Sequence, residues 1–235
     1  MSQKSMIGAE AAMKPSRKTR AVSAWLVVLG GLAGWSGCAP MGSSTEAGFM
    51  YKNLPVASGS AEAGEGHSVT MRGEPKALAG PGIRAGESLR DARLAKGDLS
   101  LVNIAETKGK VRIISLVPSL DTIVCEQQTH YLSEKNNGLD RMVQLMTVSV
   151  DTPFAQSRFA REAKIGNVTF LSDYRGGEFG RTYGLLVKDP HFLARAVMVV
   201  DKENVIRYLQ ITPELGQLPD LDAAFRAARA LLAAG

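Results

Sequence analysis

Residues 111–136 constrain this chain more than any other stretch. Val111-Arg112-Ile113-Ile114-Ser115-Leu116-Val117 is β-branched and apolar, and it predicts a buried strand. Pro118 cannot continue a central ladder, so the strand ends there. Ser119 and Asp121 are both good N-cap residues, and the run through Glu126 and Leu132 predicts a helix from about Thr122 to Asn136. Asn137-Gly138 supplies a left-handed stop. Cys125 is thereby set in or near the first turn of a helix, at the exit of a strand. The first helical N–H groups have no internal partner and the helix dipole is positive there, so negative charge on a sulfur is stabilised. The thiolate is the nucleophilic form of cysteine, which makes Cys125 a candidate nucleophile. Thr122 precedes it by three residues, with a hydroxyl in reach of the sulfur or of an oxygen that the sulfur attacks. Pro118 offers no N–H and is placed to shield the pocket from water. Taken alone, a cysteine in such a place is as a rule an inert core residue.

The surrounding elements give the fold class. His67 to Arg72 alternates like a strand, Gly73-Glu74-Pro75 turns, and Lys76 to Ala79 returns as a hairpin. Leu99 to Ile104 is a short apolar segment. Met142 to Val150 predicts the next strand, and Asp151-Thr152-Pro153 opens a helix that runs to about Lys164. Val168 to Asp173 is a strand, and Gly180 to Gly184 closes a short helix. Alternating strands and helices make βαβ units around a parallel sheet. Then the pattern changes. Ala194–Val200 and Asn204–Ile211 flank Asp201-Lys202-Glu203, an antiparallel hairpin on a short loop. An amphipathic helix over 221–232 follows. This order predicts an α/β, thioredoxin-like fold with an N-terminal β-hairpin. Met142, Met146 and Met198 are assigned to the core, and His130 and His191 to the surface. Scattered histidines and one usable cysteine make no metal site.

The string Pro118-Ser119-Leu120-Asp121-Thr122-Ile123-Val124-Cys125 resembles the active-site loop of the thiol peroxidase branch of the peroxiredoxins. So do Val148 to Gln156, Leu171-Ser172-Asp173 and Leu193-Ala194-Arg195-Ala196, and the likeness extends from about Val69 to Ala230. The resemblance implies a thiol-dependent peroxidase in which Cys125 becomes a sulfenic acid. Thr122 and Pro118 would surround the peroxide, and Arg195 would reach the sulfur. No metal or organic cofactor is implied, and a homodimer is. Without the motif, a lone strand arginine is a solvated charge on an edge. The chain departs from the family at residues 86–94, and again where a resolving cysteine is usual, a position held here by Ala160. The implied mechanism is therefore of the one-cysteine type, with an external thiol reductant. The competing reading is a non-enzymatic redox sensor or envelope scaffold that kept the fold.

Charge locates a leader. The net charge is +5, but five of the 28 basic residues and one of the 23 acidic residues precede Cys38. The remainder is nearly neutral, which argues against a nucleic-acid partner. Arg17-Lys18-Thr19-Arg20 followed by the apolar run Ala21 to Ala33 reads as an export signal over 1–37. Trp35-Ser36-Gly37-Cys38 resembles a bacterial lipobox, with Trp35 where an aliphatic residue is usual. That resemblance implies a diacylated Cys38, membrane attachment and a place in the cell envelope. Ala39, in place of an aspartate, leans toward the outer membrane. Residues 38–66 are rich in Gly, Ser, Ala and Glu and predict a flexible tether. The folded domain is expected over 67–235.

Overall fold

A computed structural model describes residues 48–234. The signal segment and Cys38 lie outside the described residues. The elements run β1 (Ser68–Met71), β2 (Glu74–Ala79), β3 (Arg93–Ala95), β4 (Leu101–Asn103), β5 (Arg112–Leu116), α1 (Ile123–Glu134), β6 (Gln144–Ser149) and α2 (Pro153–Glu162). They continue with β7 (Val168–Ser172), α3 (Glu178–Thr182), β8 (Leu186–Val187), β9 (Phe192–Leu193), β10 (Ala196–Val200), β11 (Ile206–Ile211) and α4 (Leu221–Ala234). The main sheet has the order β11-β10-β5-β6-β7-β3-β4, and a smaller sheet has the order β1-β2-β8-β9.

The centre of the main sheet is parallel from β5 through β6 to β7, and β10 runs antiparallel to both β5 and β11. All residues of β5 and β10 are buried, as strands covered on both faces must be. Alternation sorts their side chains. Ile114, Leu116, Met146, Val148, Met198 and Val200 join one apolar cluster with Phe179 and Tyr183. Ile113, Leu145, Val197 and Val199 join the other with Leu132 of α1 and Phe225 of α4. Each such side chain contributes about 1.5–3 kcal/mol by leaving water, so a one-residue slip of register would move both sets to the wrong face. The β10 register pairs Ala196 with Leu116 and Val200 with Arg112. Arg195 is thus delivered to the end of β5 from which the chain leaves toward Cys125.

Several expectations are corrected. Residues 48–66 are not a free tether but a strap bonded along the domain. Phe49 stacks on His130 at 3.8 Å between ring centroids, and the Tyr51 hydroxyl donates to Glu134 at 2.8 Å. The Gln127 side-chain amide bonds both the N–H and the C=O of Lys52, at 2.7 and 2.9 Å. Further along, the Ala57 N–H donates to Leu218 and the Ala61 N–H to Ile211, both at 2.8 Å. The composition hid this because the strap bonds chiefly through its backbone and a few aromatic rings. His130 is buried beneath Phe49, not on the surface, and Met142 is exposed, not in the core. The divergent residues 86–89 run along β11, with the Gly86 N–H on Ile206 and the Leu89 N–H on Asn204. The strands β8 and β9 were not foreseen, because elements of two residues carry no periodicity.

Candidate functional site

The site lies where β5, the loop 117–122, the first turn of α1 and the start of β10 meet. The Val117 N–H donates to Val148, and Pro118 is buried beside it. The helix begins later than the capping chemistry predicts. Thr122, not Ser119 or Asp121, is the N-cap, and its side chain makes no cap hydrogen bond. Its N–H and its hydroxyl both turn back to the Ser119 carbonyl, at 3.2 and 3.1 Å. The expected contact from the Thr122 hydroxyl to the sulfur is therefore absent in this arrangement. Thr122 itself is exposed.

Cys125 is the third residue of α1 and is fully buried. With no side chain capping the turn, the first N–H groups of the helix are left for an anion or a substrate oxygen. Arg195 approaches from β10, with Nη2 3.4 Å from the Cys125 Sγ. Its other nitrogens are anchored: Nε donates to the Leu215 carbonyl at 2.9 Å and Nη1 to the Gln128 Oε1 at 2.8 Å. Arg195 is only 2% exposed, and these partners include no carboxylate. A buried guanidinium aimed at the sulfur is placed to stabilise negative charge that develops on the reacting atoms.

Gln128 was missed by the sequence reading. It sits one turn after Cys125 on α1, and its Nε2 donates to the Ser115 Oγ at 2.8 Å and to the Leu116 and Ala196 carbonyls at 3.3 and 3.4 Å. Those donations leave Oε1 to face Arg195. The available signal was its i+3 spacing from Cys125 on one helix face. Of the residues singled out from sequence, Cys125 and Arg195 are in contact, and Thr122 and Pro118 flank them in the loop. Ala160 lies in α2, where it brings no second sulfur. Among the described residues no cluster of His, Cys, Asp and Glu is placed to hold a metal ion.

Comparison with known proteins agrees with this geometry. The Redoxin family model matches residues 84–225. The thiol peroxidase of Streptococcus pneumoniae (strain ATCC BAA-255 / R6) is 41% identical over 163 residues, covering 69% of this chain and 99% of the relative. The thiol peroxidase of Halalkalibacterium halodurans is 39% identical over 165 residues, covering 70% of this chain and 99% of the relative. The crystal structure of a peroxiredoxin-like protein from Aquifex aeolicus superposes with a TM-score of 0.65 at 36% identity, covering 70% of this chain and 96% of that one. Its fold, its sulfur–guanidinium pair and these likenesses together place the chain in the thiol peroxidase family, the thiol-dependent peroxide reductases of thioredoxin-like peroxiredoxin fold.

Proposed function

We propose that this peroxidase works through Cys125 alone, as a one-cysteine enzyme. The observation that carries the reading is the 3.4 Å contact between the Arg195 Nη2 and the Cys125 Sγ, made by an arginine with no carboxylate partner among the described residues. The Cys125 thiolate attacks one oxygen of hydrogen peroxide or an alkyl hydroperoxide. An S–O bond forms as the O–O bond breaks, and the leaving oxygen takes a proton to depart as water or alcohol. Arg195 and the uncapped N–H groups of α1 stabilise the charge that grows on the oxygens. Thr122 orients the peroxide, and Pro118 limits water. An external thiol then attacks the sulfenic acid and releases water. A second thiol displaces Cys125 from the mixed disulfide. Because the sulfur is fully covered, a small peroxide needs less opening of the first turn than a bulky thiol does.

The test begins with purified protein and a modest excess of peroxide, followed by a sulfenic-acid trap. Labelling and peroxide consumption are both expected, and both should vanish in Cys125→Ser. Steady turnover with a thioredoxin-like protein or a small thiol identifies the reductant. Oxidation that never turns over with any thiol would instead favour the sensor or scaffold.

The remaining proposals concern placement. The basic Arg17–Arg20 segment, the apolar run and Trp35-Ser36-Gly37-Cys38 support export and a lipid anchor at Cys38, facing the periplasm with the outer membrane favoured. Intact mass should show acylated Cys38 as the first residue, and Cys38→Ala should release the protein from the membrane fraction. A homodimer is proposed from the family, and sedimentation decides it.

A further inference from the structure

The string from Val148 to Gln156 carries one acidic residue, Asp151, which lies outside the sulfur–guanidinium pair. Asp151 follows β6 and precedes α2. Its carboxylate receives two hydrogen bonds from the loop that leads to Cys125, one on each oxygen. The Ser119 hydroxyl donates to Oδ1 at 2.7 Å, and the Leu120 N–H donates to Oδ2 at 2.7 Å. Charge-assisted bonds of this fork-like kind fix geometry as well as adding energy.

The carboxylate is itself held in place. The Asp151 N–H donates to the Ser149 Oγ at 3.3 Å, and the Ser172 hydroxyl donates to the Asp151 carbonyl. Ser149 Oγ also receives the Gln156 Nε2 at 2.9 Å, which ties the junction to α2. Thr152 caps α2 through Ala155 N–H, and Pro153 starts it. Asp151 is therefore a fixed template on the rigid side of the site.

The loop side passes the constraint on. The Ser119 carbonyl receives both the N–H and the hydroxyl of Thr122, at 3.2 and 3.1 Å. The Thr122 carbonyl in turn receives the Glu126 N–H at 2.9 Å, the first bond of α1. Cys125 lies within that turn. Releasing Ser119 and Leu120 from Asp151 would leave the loop held by its two ends, by the packing of Leu120 and by an exposed pair between Asp121 and Arg158 of α2.

We propose that Asp151 is a positioning residue for the peroxidatic turn: by holding Ser119 and Leu120 it sets Thr122 and the first turn of α1 against Arg195. The inference rests on Cys125 being the peroxidatic residue. Asp151 makes its side-chain bonds to the loop, not to the sulfur, and its effect runs through Ser119 and Leu120. Displacement of a reacting group by about an ångström costs on the order of 100-fold in rate.

The experiment measures the rate constant of Cys125 with hydrogen peroxide in a single turnover for the full-length protein, Asp151→Ala, Ser119→Ala and the double variant, with thermal unfolding alongside. Asp151→Ala should slow the reaction by about 10- to 100-fold. Ser119→Ala should slow it less, because the Leu120 bond remains. The double variant should be no slower than Asp151→Ala, since the Ser119 hydroxyl has then already lost its acceptor. Asp151→Asn, which keeps an acceptor oxygen, should recover part of the rate. A rate within two-fold of the parent in Asp151→Ala overturns the proposal, and so do losses that simply multiply in the double variant. If Asp151→Ala does not fold, the smaller loss in Ser119→Ala and the partial loss in Asp151→Asn decide the matter. A parent protein whose Cys125 does not react with peroxide at all refutes the catalytic assignment itself, a distinct outcome.

Discussion

Two arginines sit at opposite ends of the same strand pair. Arg195 precedes β10 beside the end of β5, and Arg112 opens β5 opposite Val200 at the end of β10. Both are buried, at 2% and 0% exposure. Arg112 donates to the Thr107 hydroxyl at 2.8 Å, the Asp201 carbonyl at 2.9 Å and the Asn204 Oδ1 at 2.6 Å. Its Nε has no hydrogen-bond partner among the described residues. Burial pushes its guanidinium below the ordinary arginine value, opposed by the charge of Asp201. Arg112 thus staples the turn between β10 and β11, and every acceptor it reaches is an ordinary oxygen. Arg195 makes the same kind of bonds with two of its nitrogens and spends the third on a sulfur. Burial of a charge does not mark a site; the chemistry of what it is aimed at does.

The largest effect that separates the two ends is kinetic. Arg195→Met should lower the peroxide rate constant of Cys125 by about 100- to 1,000-fold, as losing a preorganised donor does, whereas Arg112→Met should leave it within about two-fold. Single-turnover oxidation of both variants checks this, and equal losses at the two ends would break the comparison.

Asp173 sharpens it from the Cys125 end of the sheet. It follows β7, is buried, and accepts the N–H groups of Phe179 and Gly180 at 2.9 and 2.8 Å. Burial raises its pKa from 3.8 to about 6, against those two bonds. The folded state then holds a proton that the unfolded chain has lost. The stability this gives is full below about 4 and is lost as pH rises through about 6, a swing on the order of 3 kcal/mol. Urea unfolding between pH 4 and 7 should show that swing as the difference between the parent and Asp173→Asn. A flat difference would remove Asp173 as a titrating structural group.

At the opposite end, Arg112→Met should cost about 2 kcal/mol, because its acceptors lose their donor while a buried charge is also relieved. Denaturant midpoints measure it, and an unchanged midpoint would mean the turn does not need its staple. The smallest expected effect is in the strap. Phe49→Ala removes one ring stack on His130, about 1 kcal/mol, or 2–4 °C in Tm for a domain of this size, with no change in peroxide rate. A change in rate would show that the strap reaches the site through α1.

The site was partly legible before the structure. The strand, the proline and the cysteine in the first helical turn are neighbours in sequence, so local rules were enough to place Cys125. Arg195 came from its likeness to a family string, since no local rule tells a strand-edge arginine from one aimed at a sulfur. Gln128 was open to view three residues after Cys125, but its partners Ser115 and Arg195 were not. Capping preference pointed to Ser119 and Asp121. Asp151, 32 residues from Ser119, had claimed the Ser119 hydroxyl, so the helix starts at Thr122 without a side-chain cap. The strap escaped notice because backbone groups that bond a distant helix leave no mark in composition.

Alternation with a period of two, the helical runs and the turn residues determined the main strands and helices and their order, though not the two-residue β8 and β9, because those preferences act over a few neighbouring residues. The register of β10 against β5 was settled only in three dimensions. That register brings a guanidinium 70 residues from the sulfur to within 3.4 Å of it. Contacts across such distances depend on which apolar faces close together, and packing, not local preference, chooses among them.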